Sequence, residues 1–153
     1  MLLRIADCEP SQSRAVVELW RASFEHAMGL TDPHPIEQQH AFFVDELMPK
    51  NRVRTAWLGD DLVGFMASTP ESVSQLFVRV DHIGRFGIGS TLLNRAKAES
   101  AGSLWLYAFV RNANACRFYE RHGFVETERE SENMWKLEAI RYAWHGRIGG
   151  DPT

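Results

Sequence analysis

Apolar and polar positions alternate along the chain with two different periods. A short apolar run, "LLRIA", predicts a first strand at the N-terminus. Over "EPSQSRAVVELWRASFEHAM" the residues Val16, Leu19, Trp20, Phe24 and Ala27 recur at helical spacing, with Pro10 at the start and Gly29 at the end. "TDPHP" is a turn-rich link. Pro35 then opens a second helix that places Ile36, Phe43, Val44 and Leu47 on one side and stops at Pro49. From there the period shortens. "VRTAWLGDDLVGFMAST" predicts a β-hairpin around Gly59-Asp60-Asp61, and "SVSQLFVRV" a further strand. Ile88, Leu92, Leu93 and Ala96 mark a helix ending near Gly102. "LWLYAFV" is apolar throughout and predicts a strand buried on both faces. "NANACRFYERH" is a short helix, with Asn112 as N-cap and Gly123 just past its end. "FVETERE" and "AIRYAWHG" are strands around the aperiodic "SENMWKLE".

The order β-α-α-β-β-β-α-β-α-β-β predicts an α/β (α+β) fold, a mixed and mostly antiparallel central sheet of about seven strands flanked by about four helices. A chain of 153 residues suits one domain, here 1–146, with 147–153 as a frayed tail. Composition narrows the function classes. Apolar residues at 44% and charged residues at 24% argue against disorder. A net charge of −3 with interspersed signs gives no nucleic-acid footprint. No apolar run approaches the roughly 20 residues of a membrane helix, and "MLLRIADCEP" lacks the extended apolar stretch of a signal peptide. Cys8 and Cys116 are too few for a disulfide framework, which suits a cytoplasmic protein, and neither they nor the histidines show metal-ligand spacing.

Candidate chemistry begins at "HIGRFGIGSTLL". Gly84, Arg85, Phe86, Gly87, Ile88, Gly89 and Ser90 lead from a strand into a helix. Unpaired N–H groups at a helix start attract anions, diphosphate above all, and glycines let them approach. The spacing is neither G-x-G-x-x-G nor a loop ending in G-K-[ST]. The glycines alone leave a phosphate cradle and a tight corner equally open.

"NANACRFYERHGF" adds a second signal. With Asn112, Ala115, Phe118, Tyr119, Glu120, Gly123 and Phe124 in place, it resembles the N-x-x-A-x-x-F-Y-E-x-x-G-F helix of the Gcn5-related N-acetyltransferase (GNAT) superfamily, whose members also carry a Q/R-x-x-G-x-G/A loop. The resemblance runs from about Leu2 to Trp144 and is closest to small bacterial members of unassigned substrate. The loop departs from the pattern. Gly84 falls at the Gln/Arg position, Val80 replaces a proline and Ile83 a glutamine, and Phe86 is one residue extra, so Arg85 is expected to supply the missing contact.

The resemblance implies an acetyl-CoA-dependent N-acetyltransferase that moves an acetyl group to a primary amine by direct attack. Backbone groups near Phe77 and Val78 would hold the pantetheine arm and thioester, the loop from Gly84 to Ser90 the diphosphate, and Asn112 and Phe118 would lie beside the cofactor. Tyr119 would be the general acid to the departing thiolate. The acceptor, a small-molecule or protein amine, would enter near Trp20, Phe24, His26 and His34. Glu71 is a candidate base by position, although an exposed loop carboxylate is the plainer reading. Glu25, Asp32 and Glu37 favour a cationic acceptor. Cys116 reads as a small buried group. The alternative is a non-catalytic acyl-CoA-binding sensor or regulatory module. "AIRYAW" would offer a pairing edge for a homodimer.

Overall fold

A computed structural model describes residues 2–146; the expected frayed tail, 147–153, lies outside them. Strand β1 (Leu3–Asp7) leads through a 3-10 turn into α1 (Ser13–Met28), which ends at Gly29 in the left-handed conformation, φ +65°. The second helical segment is α2 (Ile36–Phe42), a wider π turn over Phe43–Leu47 and a last turn α3 (Met48–Lys50). The helical stretch ends at Lys50, one residue past Pro49, where Asn51 turns extended. Pro49 sits in the last turn, just after the π widening over Phe43–Leu47. Phe43 and Leu47, four residues apart, take the buried face, and Val44, expected beside them, is exposed.

Strands β2 (Arg52–Leu58), β3 (Asp61–Ser68) and β4 (Val73–Val78) follow, then α4 (Ile88–Glu99), β5 (Ser103–Phe109), α5 (Ala113–Arg121), β6 (Val125–Glu130) and β7 (Ala139–His145). The predicted order holds. The strands form two antiparallel sheets, β1-β2-β3-β4 and β5-β7-β6. β7 is therefore paired on both sides, and the expectation of a pairing edge there is corrected; the edges of that sheet are β5 and β6. β5 is also not buried on both faces. Leu104, Leu106 and Ala108 point inward while Trp105 and Tyr107 are exposed, with the Arg141 guanidinium 5.2 Å above the Trp105 ring. Aromatic bulk on the outer face, not burial, made that run read as apolar throughout.

The first sheet carries a core on each face. Phe65 and Ala67 of β3 pack with Val16, Val17 and Trp20 of α1 and with Phe43, whereas Met66 packs with Ile88, Leu92 and Leu93 of α4 and with Leu104, Leu106 and Tyr142 of the second sheet. Tyr142 is fully buried, and its hydroxyl donates to Glu120 Oε2 at 2.7 Å. Burial, then the hydrogen bond to Glu120, pushes the Tyr142 phenol pKa up, and burial does the same to Tyr119. Above the ordinary phenol value of about 10, the unfolded chain releases these protons and the folded chain keeps them, so stability falls as pH rises. Thermal unfolding should show a melting temperature that drops once pH passes about 10, and Tyr142→Phe should flatten that slope.

Candidate active site

The two sheets meet where β4 and β5 start, through a parallel bridge between Ser72 and Trp105 and a hydrogen bond from Trp105 N–H to Glu71 C=O. No further ladder joins β4 to β5 among the described residues. The pairing with β3 decides which groups face the gap. Arg79 N–H donates to Val63 C=O, and the register sets Val78 opposite Gly64 and Phe77 opposite Phe65. Hydrogen-bonded and non-bonded pairs alternate in an antiparallel ladder. Phe77 therefore gives its backbone groups to β3, and those of Leu76 and Val78 turn into the gap. The Val78 carbonyl accepts the hydroxyl of buried Ser23 at 2.6 Å. Sequence reading had named Phe77 and Val78; Leu76 replaces Phe77 for backbone contacts, although the Phe77 side chain lines the cleft.

That gap opens into a cleft of about 560 Å³. Its floor beside β4 is the start of α4, where Gly87, Ile88, Gly89 and Ser90 all line the space. Gly87, in the left-handed conformation at φ +63°, turns the chain into the helix. Gly89 serves packing: a Cβ there would lie 3.2 Å from two atoms of the Phe118 ring. The first-turn N–H groups of α4 have no helical partners and carry partial positive charge. Arg85, Arg117 and Arg121 line the same cleft, and the Arg85 guanidinium has no partner among the described residues. Gly84 lines it too, whereas Phe86, expected at the cofactor, does not. It takes φ +61°, stays exposed and packs 5.7 Å from the His82 ring. The extra residue bulges outward, which leaves the helix start free to face the cleft.

Ser90 and His122 form a fixed pair. His122 Nδ1 lies 2.8 Å from the Phe118 carbonyl, which can only accept, so Nδ1 carries a proton. In the neutral ring Nε2 then accepts from the Ser90 hydroxyl at 2.9 Å.

α5 starts with Asn112 as predicted, its Oδ1 accepting Ala115 N–H at 3.2 Å. This helix carries Asn112, Phe118 and Tyr119 to the cleft wall. The Tyr119 ring packs against Phe118, Phe124 and Tyr142. Only 7% of the residue is exposed, it lines the cleft, and its hydroxyl makes no hydrogen bond to the described residues. Burial, with a smaller contribution from nearby Cys116, holds the phenol in its protonated form. Cys116 is half-buried with its thiol toward the Phe109 carbonyl. Glu120 anchors Tyr142, as described above.

At the other end, Ser23, Phe24, His26 and Met28 of α1 line the cleft with Phe77 and Phe109. Trp20 does not reach it. One turn earlier on the same stripe, it is buried among Phe42, Phe43 and Phe65. Glu71 is also outside, exposed in the Thr69–Ser72 turn at the closed end where the sheets touch. Sequence reading missed Arg117 and Arg121, four residues apart on α5, and Trp135, which packs 5.0 Å from Phe24 behind the cleft wall; neither Trp135 nor His34, 5.4 Å beyond it and expected near the acceptor, lines the cleft. The arginines were legible as one face of the predicted helix; Trp135 sits where no period exists. Among the described residues, no group of His, Cys, Asp and Glu is placed to hold a metal ion, and no helix is long and apolar enough to cross a membrane.

The parted strands beside a glycine-led helix start form a cleft that suits an extended ligand with an anionic group. The family model described as acetyltransferase (GNAT) domain matches residues 38–126, more than half of the chain. The chain belongs to the GNAT acetyltransferase family. The structure is similar to apo YjaB from Escherichia coli, with TM-score 0.78 and 21% identity over 96% of this chain and 100% of that one. It is also similar to PaiA N-acetyltransferase from Thermoplasma acidophilum in complex with coenzyme A (TM-score 0.71, 17% identity, 95% and 99% covered). A third similar structure is yncA from Salmonella typhimurium with its cofactor acetyl-CoA (TM-score 0.68, 16% identity, 99% and 98% covered). No curated protein matches the sequence.

Proposed function

We propose that this protein transfers an acetyl group from acetyl-CoA to a primary amine by direct attack, with Tyr119 as the general acid. The observation that carries the reading is the Tyr119 hydroxyl, unpartnered on an otherwise packed ring, in the same cleft as the gap-facing backbone of Leu76 and the N–H of Val78, whose carbonyl is held by Ser23. When bound, acetyl-CoA supplies the acetyl group as a thioester. The residues present suit it. The α4 start and Arg85, Arg117 and Arg121 match an anionic diphosphate, and the gap-facing groups of Leu76 and Val78 match an amide-bearing arm. A donor N–H from that edge would meet the charge that develops on the carbonyl oxygen. Tyr119 stays protonated through the working pH range and gives its proton to sulfur as the carbon–sulfur bond breaks. A thiolate forming in the same enclosed space is made more basic by the burial that makes the phenol less acidic, which keeps the two matched.

Calorimetric titration with acetyl-CoA, coenzyme A and dephospho-coenzyme A, followed by thiol release with a panel of amines, tests the reading. Binding of acetyl-CoA with amine-dependent thiol release is expected; binding without release from any amine would leave a binding module in place of an enzyme. Arg85→Ala should weaken coenzyme A about fivefold, the size of a charge-assisted contact open to water. An unchanged Kd would assign the diphosphate to the helix start and the α5 arginines.

A further inference from the structure

We infer, on the basis of that acetyltransferase reading, that α1 is a spacer holding β4 and β5 apart, and that Phe24, its wedge, and Arg111, its fastening, are positioning residues for the cofactor. Two unpaired strand edges face each other across the cleft. β4 turns the backbone of Leu76 and the Val78 N–H into it. On β5 the Trp105 N–H donates to the Glu71 carbonyl, so alternation turns the backbone of Tyr107 and the Phe109 N–H the same way, and both residues line the cleft. The two strands already touch in parallel at Ser72 and Trp105. Facing edges of this kind pair unless something stands between them. The register shift of the β3–β4 ladder between Ala67 and Ser68 starts the parting, but it lies at the bridged end, away from Val78.

What stands at the far end is α1. The Phe24 ring lies 6.5 Å from Phe77 of β4 and 6.3 Å from Phe109 of β5, edge to face with both. All three residues line the cleft. One position earlier, Ser23 is 3% exposed and donates to the Val78 carbonyl at 2.6 Å. The same peptide unit gives its Arg79 N–H to the Val63 carbonyl of β3 at 2.8 Å, so it is held from both sides. The Ser23 bond fastens α1 to β4. It also takes from that edge an acceptor that β5 would otherwise use.

The other fastening reaches α1 from the β5 side. Arg111 follows β5 in a turn fixed by the Val110 N–H on the Glu138 carbonyl at 3.0 Å and by the Asn112 N–H on the Phe109 carbonyl at 2.9 Å. Its Nε donates to the Met28 carbonyl, and its Nη2 lies 3.4 Å from the Gly29 carbonyl. Carbonyls at a helix end have no helical partner and carry partial negative charge, which a guanidinium meets. α1 thus spans the open end with a bond to β4, a ring between the strands and a bond from the end of β5. Phe24, expected at the acceptor, serves the cofactor instead. It keeps the gap wide enough for an extended arm to take the groups that β5 would otherwise take. The parted state is then the major one before any ligand arrives, and no affinity is lost to opening.

Amide hydrogen exchange read by NMR, with coenzyme A calorimetry, tests this in wild type, Phe24→Ala, Phe24→Leu and Arg111→Ala. In the ligand-free wild type the Leu76 and Val78 amides should exchange quickly, and coenzyme A should slow them. In Phe24→Ala both amides should be protected without ligand, as β5 pairs with β4, and the coenzyme A Kd should weaken about tenfold or more. The acetyl-CoA KM should rise by the same factor with kcat at saturation kept, because strands parted by the arm present the wild-type groups. Arg111→Ala should move both readouts the same way by about threefold, and Phe24→Leu, bulky and apolar, should restore much of the wild-type behaviour. Arg111 is exposed, so its variant carries the same readouts in a folded protein even where Phe24→Ala does not fold. Slow exchange at these amides in the ligand-free wild type, or fast exchange at both in Phe24→Ala and Arg111→Ala, would overturn the inference. So would a fall in kcat at unchanged Kd in Phe24→Ala, which would return that ring to the acceptor. A wild type that does not bind coenzyme A would remove the underlying reading instead, and the exchange pattern alone would then decide the spacer.

Discussion

Tyr119→Phe should lower kcat by about 100- to 1,000-fold and leave the acetyl-CoA Kd where it was. The change removes one oxygen atom. The ring keeps its contacts with Phe118 at 5.2 Å, Phe124 at 5.7 Å and Tyr142 at 6.3 Å. The lost hydroxyl lines the cleft and makes no hydrogen bond to the described residues, so no protein partner is left unpaired and stability should hold or rise slightly. Tyr142→Phe is the matched control. It removes the same atom from a neighbouring ring, but there the hydroxyl donates to Glu120, so about 1 kcal/mol of stability should go while kcat stays. Single-turnover rates, calorimetry and urea denaturation on the two variants separate the roles. An unchanged kcat in Tyr119→Phe would return that residue to core packing and pass the proton to water.

Most elements were legible because their periods were long and their ends chemically marked. Asn112 caps α5 and Gly123 follows it at φ +88°, as such residues do wherever they stand. What the sequence could not carry was the direction in which a stripe faces. Trp20 and Phe24 are one turn apart on one face of α1, yet Trp20 meets the Phe43 and Phe65 rings while Phe24 stands at the end of the sheet where β4 and β5 part. The choice between Phe77 and Leu76 for backbone contacts rests on the register with β3, a long-range fact absent from "LFV" itself. Glu71 is near β4 in sequence but at its closed end in space. Trp135 is placed by the side chain of Asn133 and by no periodic pattern.

Gly64→Val should cost about 2–3 kcal/mol of stability and, in the molecules that still fold, weaken coenzyme A by tenfold or more. Gly64 lies on β3 opposite Val78, beneath the first residue of α4. A Cβ at Gly64 would stand 3.0 Å from Ile88 Cγ2, 3.1 Å from the Phe77 carbonyl oxygen and 3.5 Å from Leu92 Cδ1. The carbonyl belongs to the β3–β4 ladder and cannot swing aside, and Ile88, 1% exposed, has no room to retreat. Valine adds two further methyl groups to that contact. Relief comes either by lifting the start of α4 off the sheet, which moves the N–H groups of Ile88, Gly89 and Ser90, or by bowing β4, which moves those of Leu76 and Val78. Each route displaces one half of the cofactor site. Gly84→Ala is the contrast. At φ +76° it carries backbone strain of about 1 kcal/mol, yet a Cβ there meets nothing within 4 Å, so its effect should stay local. Denaturation curves give the first quantity, and calorimetry at a temperature where Gly64→Val is folded gives the second. Wild-type affinity in folded Gly64→Val would mean that the seat of α4 on β3 does not set the anion site, and that the arginines of the cleft hold the diphosphate without it.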